Sequence, residues 1–257
     1  MSTGVERVAG AFGKGHAAFM PYVMGGYPTL AKSRATGEAY AAAGADLIEL
    51  GIPFSDPLAD GPVIHAAGTQ ALKAGATVDG VLEVCEHLSK LVPVVVMTYA
   101  NVVFARGPNE FAATLRERGA AGLIVPDLPL EESDDVRLAC EQNELAFVPL
   151  VAPTTPPDRL ERIGEQATGF LYAVSVVGTT GERGESDAYG DVIGRVKAHT
   201  DVPVALGFGI SSPAQAVAAA AAGADGVIVA SRLIRAIADG DETGVLAGEF
   251  AAALAQR

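Results

Sequence analysis

The sequence is poor in the residues that would mark several large classes of protein. Its 18 basic residues face 31 acidic ones, for a formal net charge of −13. Nucleic-acid binding draws on clustered Lys and Arg to displace counterions, so a phosphate-backbone partner is set aside. There are two cysteines, and Cys85 and Cys140 lie too far apart for a disulfide framework or a CxxC metal site. Both read as small buried hydrophobes. His16, His65, His87 and His199 fall in no metal-ligand spacing, and neither a P-loop nor a GxSxG elbow is present. Gly13-Lys14-Gly15 precedes a strand where a dinucleotide fingerprint would follow one, so neither metal nor nucleotide is expected. No stretch approaches the ~20 uncharged apolar residues of a membrane span, and MSTGVERVAGAFGKGHAAFM holds no uninterrupted apolar run of signal-peptide length. A soluble cytoplasmic protein is the expectation.

What the sequence does have is apolar mass: 257 residues, 49% of them hydrophobic, enough for a large core. Short β-branched runs recur along it, namely AAFMPYVM, ADLIELG, VPVVVMTYA, AGLIVPD, LAFVPLV, FLYAVSV, VPVALGFGI and DGVIVAS. Ala-, Leu- and Glu-rich stretches of helical spacing lie between most of them, and several strands share a lead-in of the type AAAGAD or ERGAAG, the mark of an internal βα repeat. Near-continuous apolar strands alternating with helices call for a parallel sheet covered on both faces. Eight repeats in this length match a (β/α)8 TIM barrel whose active site lies at the C-terminal ends of the strands. An open doubly wound sheet is the alternative. No linker divides residues 1–257, which read as one domain. The long interval before VPVVVMTYA leaves room for a loop at 53–62 and a helical stretch around Gly68 to Gly75.

Position relative to a strand therefore carries functional meaning. In ADLIELGIPFSDPLADGP, Glu49 sits near the end of the second strand among Leu47, Ile48, Leu50 and Ile52. Desolvation there raises its pKa and lets it give and take a proton near neutrality. Pairing with a barrel cation would instead make it structural. Pro53, Pro57 and Pro62 stiffen the following loop, which presents Asp56 and Asp60; both aspartates also have the local chemistry of turn residues. GFGIS after the seventh strand and ASR after the eighth occupy the usual barrel phosphate position, so a phosphorylated substrate is expected. Val177 to Asp191, rich in Gly, Thr and charge, has the composition of an active-site lid or of a plain solvated loop.

With those stretches in view, the sequence resembles the α subunit of tryptophan synthase along essentially its whole length. The match is carried by LIELGIPFSDPLADGPVI, supported in order by FMPYVMGGYPT, MTYANVVF, VPDLPLEES, LYAVSVVGTTG and GFGISSP. The resemblance implies cofactor-free retro-aldol cleavage of indole-3-glycerol phosphate to indole and glyceraldehyde 3-phosphate. It gives Glu49 the proton transfers and Asp60 the hydrogen bond to the ring nitrogen. By the same resemblance Tyr22, Tyr99 and Tyr172 line the indole pocket, Gly181, Gly207, Gly209 and Ser231 cradle the phosphate, and Thr180 steadies Asp60. Asp56 is implied as a loop and partner contact and Asp127 as a relay to the partner, a pyridoxal-phosphate β subunit in an α2β2 heterotetramer. Tyr22, Tyr27 and Ala230 depart from the commoner pattern, the first two at the pocket or loop surface and the third where backbone should approach phosphate. A stand-alone lyase, a regulatory barrel and a phosphosugar isomerase are the rival readings.

Overall fold

The computed structural model describes residues 2–175 and 185–256. Each of the eight apolar runs forms a strand, and every strand pairing is parallel. In chain order the strands are β1 (Ala18–Met24), β2 (Ile48–Gly51), β3 (Val94–Met97), β4 (Gly122–Ile124), β5, β6 (Leu171–Val174), β7 (Val204–Gly207) and β8 (Gly226–Val229). β5 has two parts, Ala146–Val148 and Leu150–Val151. Pro149 separates them because it has no N–H for the ladder. The first part pairs with β4 and the second with β6, and the Pro149 carbonyl accepts from Tyr172 N at 3.1 Å. β1 pairs with both β2 and β8, so the sheet returns on itself as a barrel. The open-sheet alternative falls.

The period-two alternation hidden in the apolar runs appears once the barrel closes. Ala18, Met20, Leu47, Val95, Ala146, Tyr172, Ala205 and Ile228 point into one interior cluster. Their neighbours Phe19, Ile48, Leu50, Val94, Val96 and Leu206 pack outward beneath the helices. Strands buried on both faces show no polar alternation in sequence, which is why periodicity alone could not assign the faces. The helix α1 (Gly4–Phe12), capped by a reciprocal Thr3–Glu6 box, adds Val8 and Ala11 to the interior cluster and closes the N-terminal end.

The repeated lead-in has a structural cause. Gly44, Gly119 and Gly223 each take a positive φ at the end of a helix, where a Cβ would be strained. Two residues later, Asp46 donates its N–H to Phe19 O and accepts from Phe19 N at 2.8 Å. Asp225 brackets Val204 in the same way, at 2.9 and 2.8 Å. Lys14 and Lys197 neutralise these two carboxylates. Both aspartates stand at the starts of their strands, the end of the barrel away from Glu49.

α2 (Leu30–Ala42) joins β1 to β2, and the long interval between β2 and β3 holds α3 (Pro62–Lys73) and α4 (Val78–Leu88). The helical stretch expected around Gly68 to Gly75 is the second half of α3. After β3 and β4 come α5 (Ala100–Arg106), α6 (Pro108–Glu117) and α7 (Asp134–Gln142), and α8 (Pro157–Gln166) follows β5. The chain then adds α9 (Glu185–Lys197), α10 (Pro213–Ala221), α11 (Ser231–Asp239) and α12 (Thr243–Ala255). Of the expected lid, residues 177–184 lie outside the described residues. Residues 185–191 belong to α9, in which Tyr189 is fully buried, so that end is helix and not loop. None of the described helices is long and apolar enough to cross a membrane.

Candidate active site

Glu49 is the one inward-facing acid of the strands described above, 2% exposed, with its carboxylate lining a cavity of about 330 Å3 at the C-terminal mouth. Its neighbours Ile48 and Leu50 face the helices, so they do not desolvate it as the sequence suggested. The surroundings that do are across the strands: Tyr22, in register with Glu49 on β1, and the cavity walls Met97, Ile124 and Tyr172. Glu49 Oε2 is buried without a hydrogen-bond partner. Burial first, and the charge of Asp60 second, push its pKa up to about 8. A neutral acid at physiological pH, facing a cavity and bonded to nothing on one oxygen, is a group held in reserve for a ligand.

Asp60 reaches the same cavity from the loop between β2 and α3. Pro62 opens α3 as its first residue, a place where its fixed φ suits the helix and its missing N–H costs nothing. The loop is held from behind by Tyr99, whose ring stacks on Phe54 with centroids 5.2 Å apart. The Tyr99 hydroxyl accepts from Ala59 N at 3.2 Å and donates to the Asp60 carboxylate. Burial raises the Asp60 pKa, while the bond from Tyr99 and the proximity of His65 pull it down. The two acids thus sit in different environments, one dry and partnerless, the other partly exposed and hydrogen-bonded.

The three tyrosines divide. Tyr22 and Tyr172 line the cavity, whereas Tyr99 acts through the loop it braces. Each lining tyrosine occupies space that a glycine on the next strand leaves open. A Cβ at Gly51 would lie 1.9 Å from the Tyr22 hydroxyl, and one at Gly207 would lie 2.3 Å from that of Tyr172. Gly207 is therefore a β7 packing residue, and its carbonyl is taken by Ser175 N at 3.0 Å. Gly209, at φ 82°, follows it in the turn and lines the cavity with Ser211 and Ser231. Ser231 is the first residue of α11, whose leading N–H groups lack intrahelical acceptors. Thr180 and Gly181 lie outside the described residues.

The remaining expectations separate in space. Asp56 is exposed and accepts from the Ser55 hydroxyl at 2.5 Å, a side-chain pairing and not the backbone bond of a turn aspartate. Asp127, also exposed, accepts from Ala100 N at 2.9 Å and so caps α5, the helix that follows Tyr99. Ala230 takes φ −117°, open to any L-residue, so its methyl carries no backbone strain. Tyr27 is 7% exposed and packs with Tyr22, Met24 and Ile64. It belongs to the upper core and not to a loop surface. Arg232 and Arg235 also line the cavity; the Ser-Arg pair was visible in sequence, but only the helix turn shows that a second arginine shares its face.

A family model described as "Tryptophan synthase alpha chain" matches residues 9–254. Tryptophan synthase alpha chains of Natronomonas pharaonis and Deinococcus radiodurans are 46% and 42% identical, covering 88% and 97% of this chain and 84% and 94% of their own. Among solved structures, tryptophan synthase from M. tuberculosis in an open form superposes with TM-score 0.90 at 38% identity, covering 96% of this chain and 98% of that one. The alpha subunit from Legionella pneumophila gives 0.90 at 31% identity, with both chains covered completely. The barrel, its paired acids and these likenesses agree, and the chain belongs to the tryptophan synthase alpha chain family.

Proposed function

We propose that this chain cleaves indole-3-glycerol phosphate to indole and glyceraldehyde 3-phosphate, with Glu49 as the acid and base and Asp60 as the charge partner of the indole nitrogen. The observation that carries the assignment is the buried Glu49 carboxylate, partnerless on Oε2 and facing the cavity that Asp60 also enters.

The chemistry follows from the two environments. Glu49 starts neutral and delivers its proton to indole C3, which places positive charge on the ring nitrogen. Asp60, ionised and held by Tyr99, accepts the ring N–H and offsets that charge. The Glu49 carboxylate then takes the proton of the C3′ hydroxyl. The C3′–C3 bond breaks, its electron pair restores the aromatic ring, and the C3′ oxygen becomes the aldehyde. Glu49 ends protonated, so the cycle balances without any cofactor in this chain. Tyr22 and Tyr172 supply flat apolar walls for the indole, and the glycerol phosphate points toward Gly209 and Ser231. Single-domain organisation over 1–257 and a cytoplasmic setting belong to the same reading.

The partner in this reading is a pyridoxal-phosphate β subunit of an α2β2 assembly that receives the indole. Supporting it, Leu58 at the tip of the catalytic loop is 88% exposed and Phe104 on α5 is 46% exposed. Large apolar side chains held out at the active-site rim suit a protein partner, and Tyr99 ties that loop to Asp60. Release of glyceraldehyde 3-phosphate by the purified chain, with and without a β subunit, tests the proposal. Slow release that the β subunit accelerates is expected; fast release indifferent to it would point to a stand-alone lyase.

A further inference from the structure

Arg232 and Arg235 are the only arginines among the described residues with neither an ion pair nor a hydrogen bond. Every other described arginine is committed: Arg34, Arg106, Arg116, Arg118, Arg137, Arg159 and Arg162 to carboxylates, and Arg7 and Arg195 to backbone carbonyls. On a chain of net charge −13, two uncommitted guanidinium groups three residues apart need a reason. Both line the same cavity as Glu49.

Their placement also breaks a local rule. Arg232 is the second residue of α11, in a first turn without any acid. A cation there opposes the positive end of the helix macrodipole and destabilises the helix unless an anion joins it. The polar groups nearby do not supply one. Ser211 gives its N–H and its hydroxyl to Gln215 Oε1, at 2.7 and 2.8 Å, so the turn after β7 has fewer free donors than its glycines suggest. Of the two acids at the mouth, Glu49 is neutral, and Asp60 is paired with Tyr99 and His65 and with neither arginine.

We infer that Arg232 and Arg235 are specificity-determining residues that clamp the phosphate monoester of the substrate through their side chains, adding two cations to the backbone donors of α11. This rests on the cavity being the substrate site, but not on the bond that is cleaved there. Guanidinium binds phosphate oxygens in charge-assisted pairs. Arg232, half-buried, contributes most, and Arg235, exposed, contributes less because water and salt screen it.

The test is binding of inorganic phosphate by titration calorimetry, and kcat and KM for indole-3-glycerol phosphate, for the parent, Arg232→Gln, Arg235→Gln and the double variant. Arg232→Gln should weaken phosphate binding and raise KM by about tenfold, and Arg235→Gln by about threefold, with kcat within threefold of the parent. Raising salt should narrow the gap for Arg235→Gln more than for Arg232→Gln. Phosphate affinity and KM unchanged within twofold in the double variant, with its melting temperature preserved, would overturn the inference. If the parent cleaves nothing yet the substitutions weaken phosphate binding as stated, the clamp stands and the assigned activity fails.

Discussion

The hydroxyl of Tyr172 on β6 occupies the volume that a side chain on Gly207 of β7 would need, 2.3 Å from the place of the missing Cβ. The same relationship joins Tyr22 on β1 to Gly51 on β2, at 1.9 Å. In both pairs the glycine lies two residues beyond the strand partner of the tyrosine, Glu49 for Tyr22 and Ala205 for Tyr172. Glu49 and Ala205 thus hold equivalent places, and only the first carries an ionisable side chain.

Gly207→Ala must therefore push the Tyr172 ring into the cavity or move β7. Overpacking of this kind costs about 1–3 kcal/mol. The expected result is a melting temperature lower by several degrees and a raised KM for indole-3-glycerol phosphate. A Gly207→Ala variant of unchanged stability and KM would show that Tyr172 has freedom the packing does not suggest.

Burial of Glu49 makes the stability of the fold depend on pH. Its pKa rises from 4.5 to about 8 on folding, so between those values the folded chain holds a proton that the unfolded chain has released. Stability therefore falls as pH rises through that window. The ceiling is about 5 kcal/mol at 1.36 kcal/mol per unit of pKa, and water in the cavity reduces it. Glu49→Gln should match the parent's thermal stability near pH 4.5 and exceed it progressively up to pH 8. A difference that shrinks with rising pH would contradict the burial argument.

Tyr99→Phe removes the hydroxyl that Asp60 and Ala59 share. Without that donor the Asp60 pKa climbs further, so the acid limb of the pH profile of kcat/KM should move to higher pH. The loss at neutral pH should be about tenfold, the scale of one hydrogen bond to a charged group. Asp60→Asn keeps the shape but not the charge, and a loss of about a hundredfold or more is expected in kcat. Parent-like pH dependence in Tyr99→Phe would remove Tyr99 from the mechanism.

Leu58→Asp addresses the partner surface. The side chain is exposed, touches neither acid, and should leave the isolated chain's folding stability unchanged. The acceleration given by a β subunit should drop sharply in the variant. Full activation of Leu58→Asp would place the interface elsewhere on the rim.

The barrel was legible in the sequence because eight apolar runs at βα spacing leave few other ways to bury themselves, and because AAAGAD and ERGAAG mark where strands begin. Glu49 stood out as a charge in such a run. What the sequence could not show was facing. Ile48 and Leu50 looked like the walls around Glu49, yet the strand's two-residue period turns them to the helices. Gly207 looked like part of an anion loop because GFG contains two glycines, but one of them belongs to β7 and the other to the turn. Tyr99 carries no local sign of acting through Asp60, since that contact joins residues far apart in the chain. Arg235 stayed hidden for the same reason, because a helix turn and not adjacency brings it to the cavity. The share of the lid in residues 177–184, with Thr180 and Gly181, lies outside the described residues.

The most direct test of Glu49 as acid and base is the pH dependence of kcat for indole-3-glycerol phosphate cleavage by the parent and by Glu49→Gln, each with a β subunit present. General acid–base catalysis is worth about 10²–10⁴-fold. Glu49→Gln should lose at least that much, with KM little changed, and the parent should fall in rate above pH 8 as Glu49 ionises. A Glu49→Gln enzyme within tenfold of the parent across the pH range would contradict the assignment.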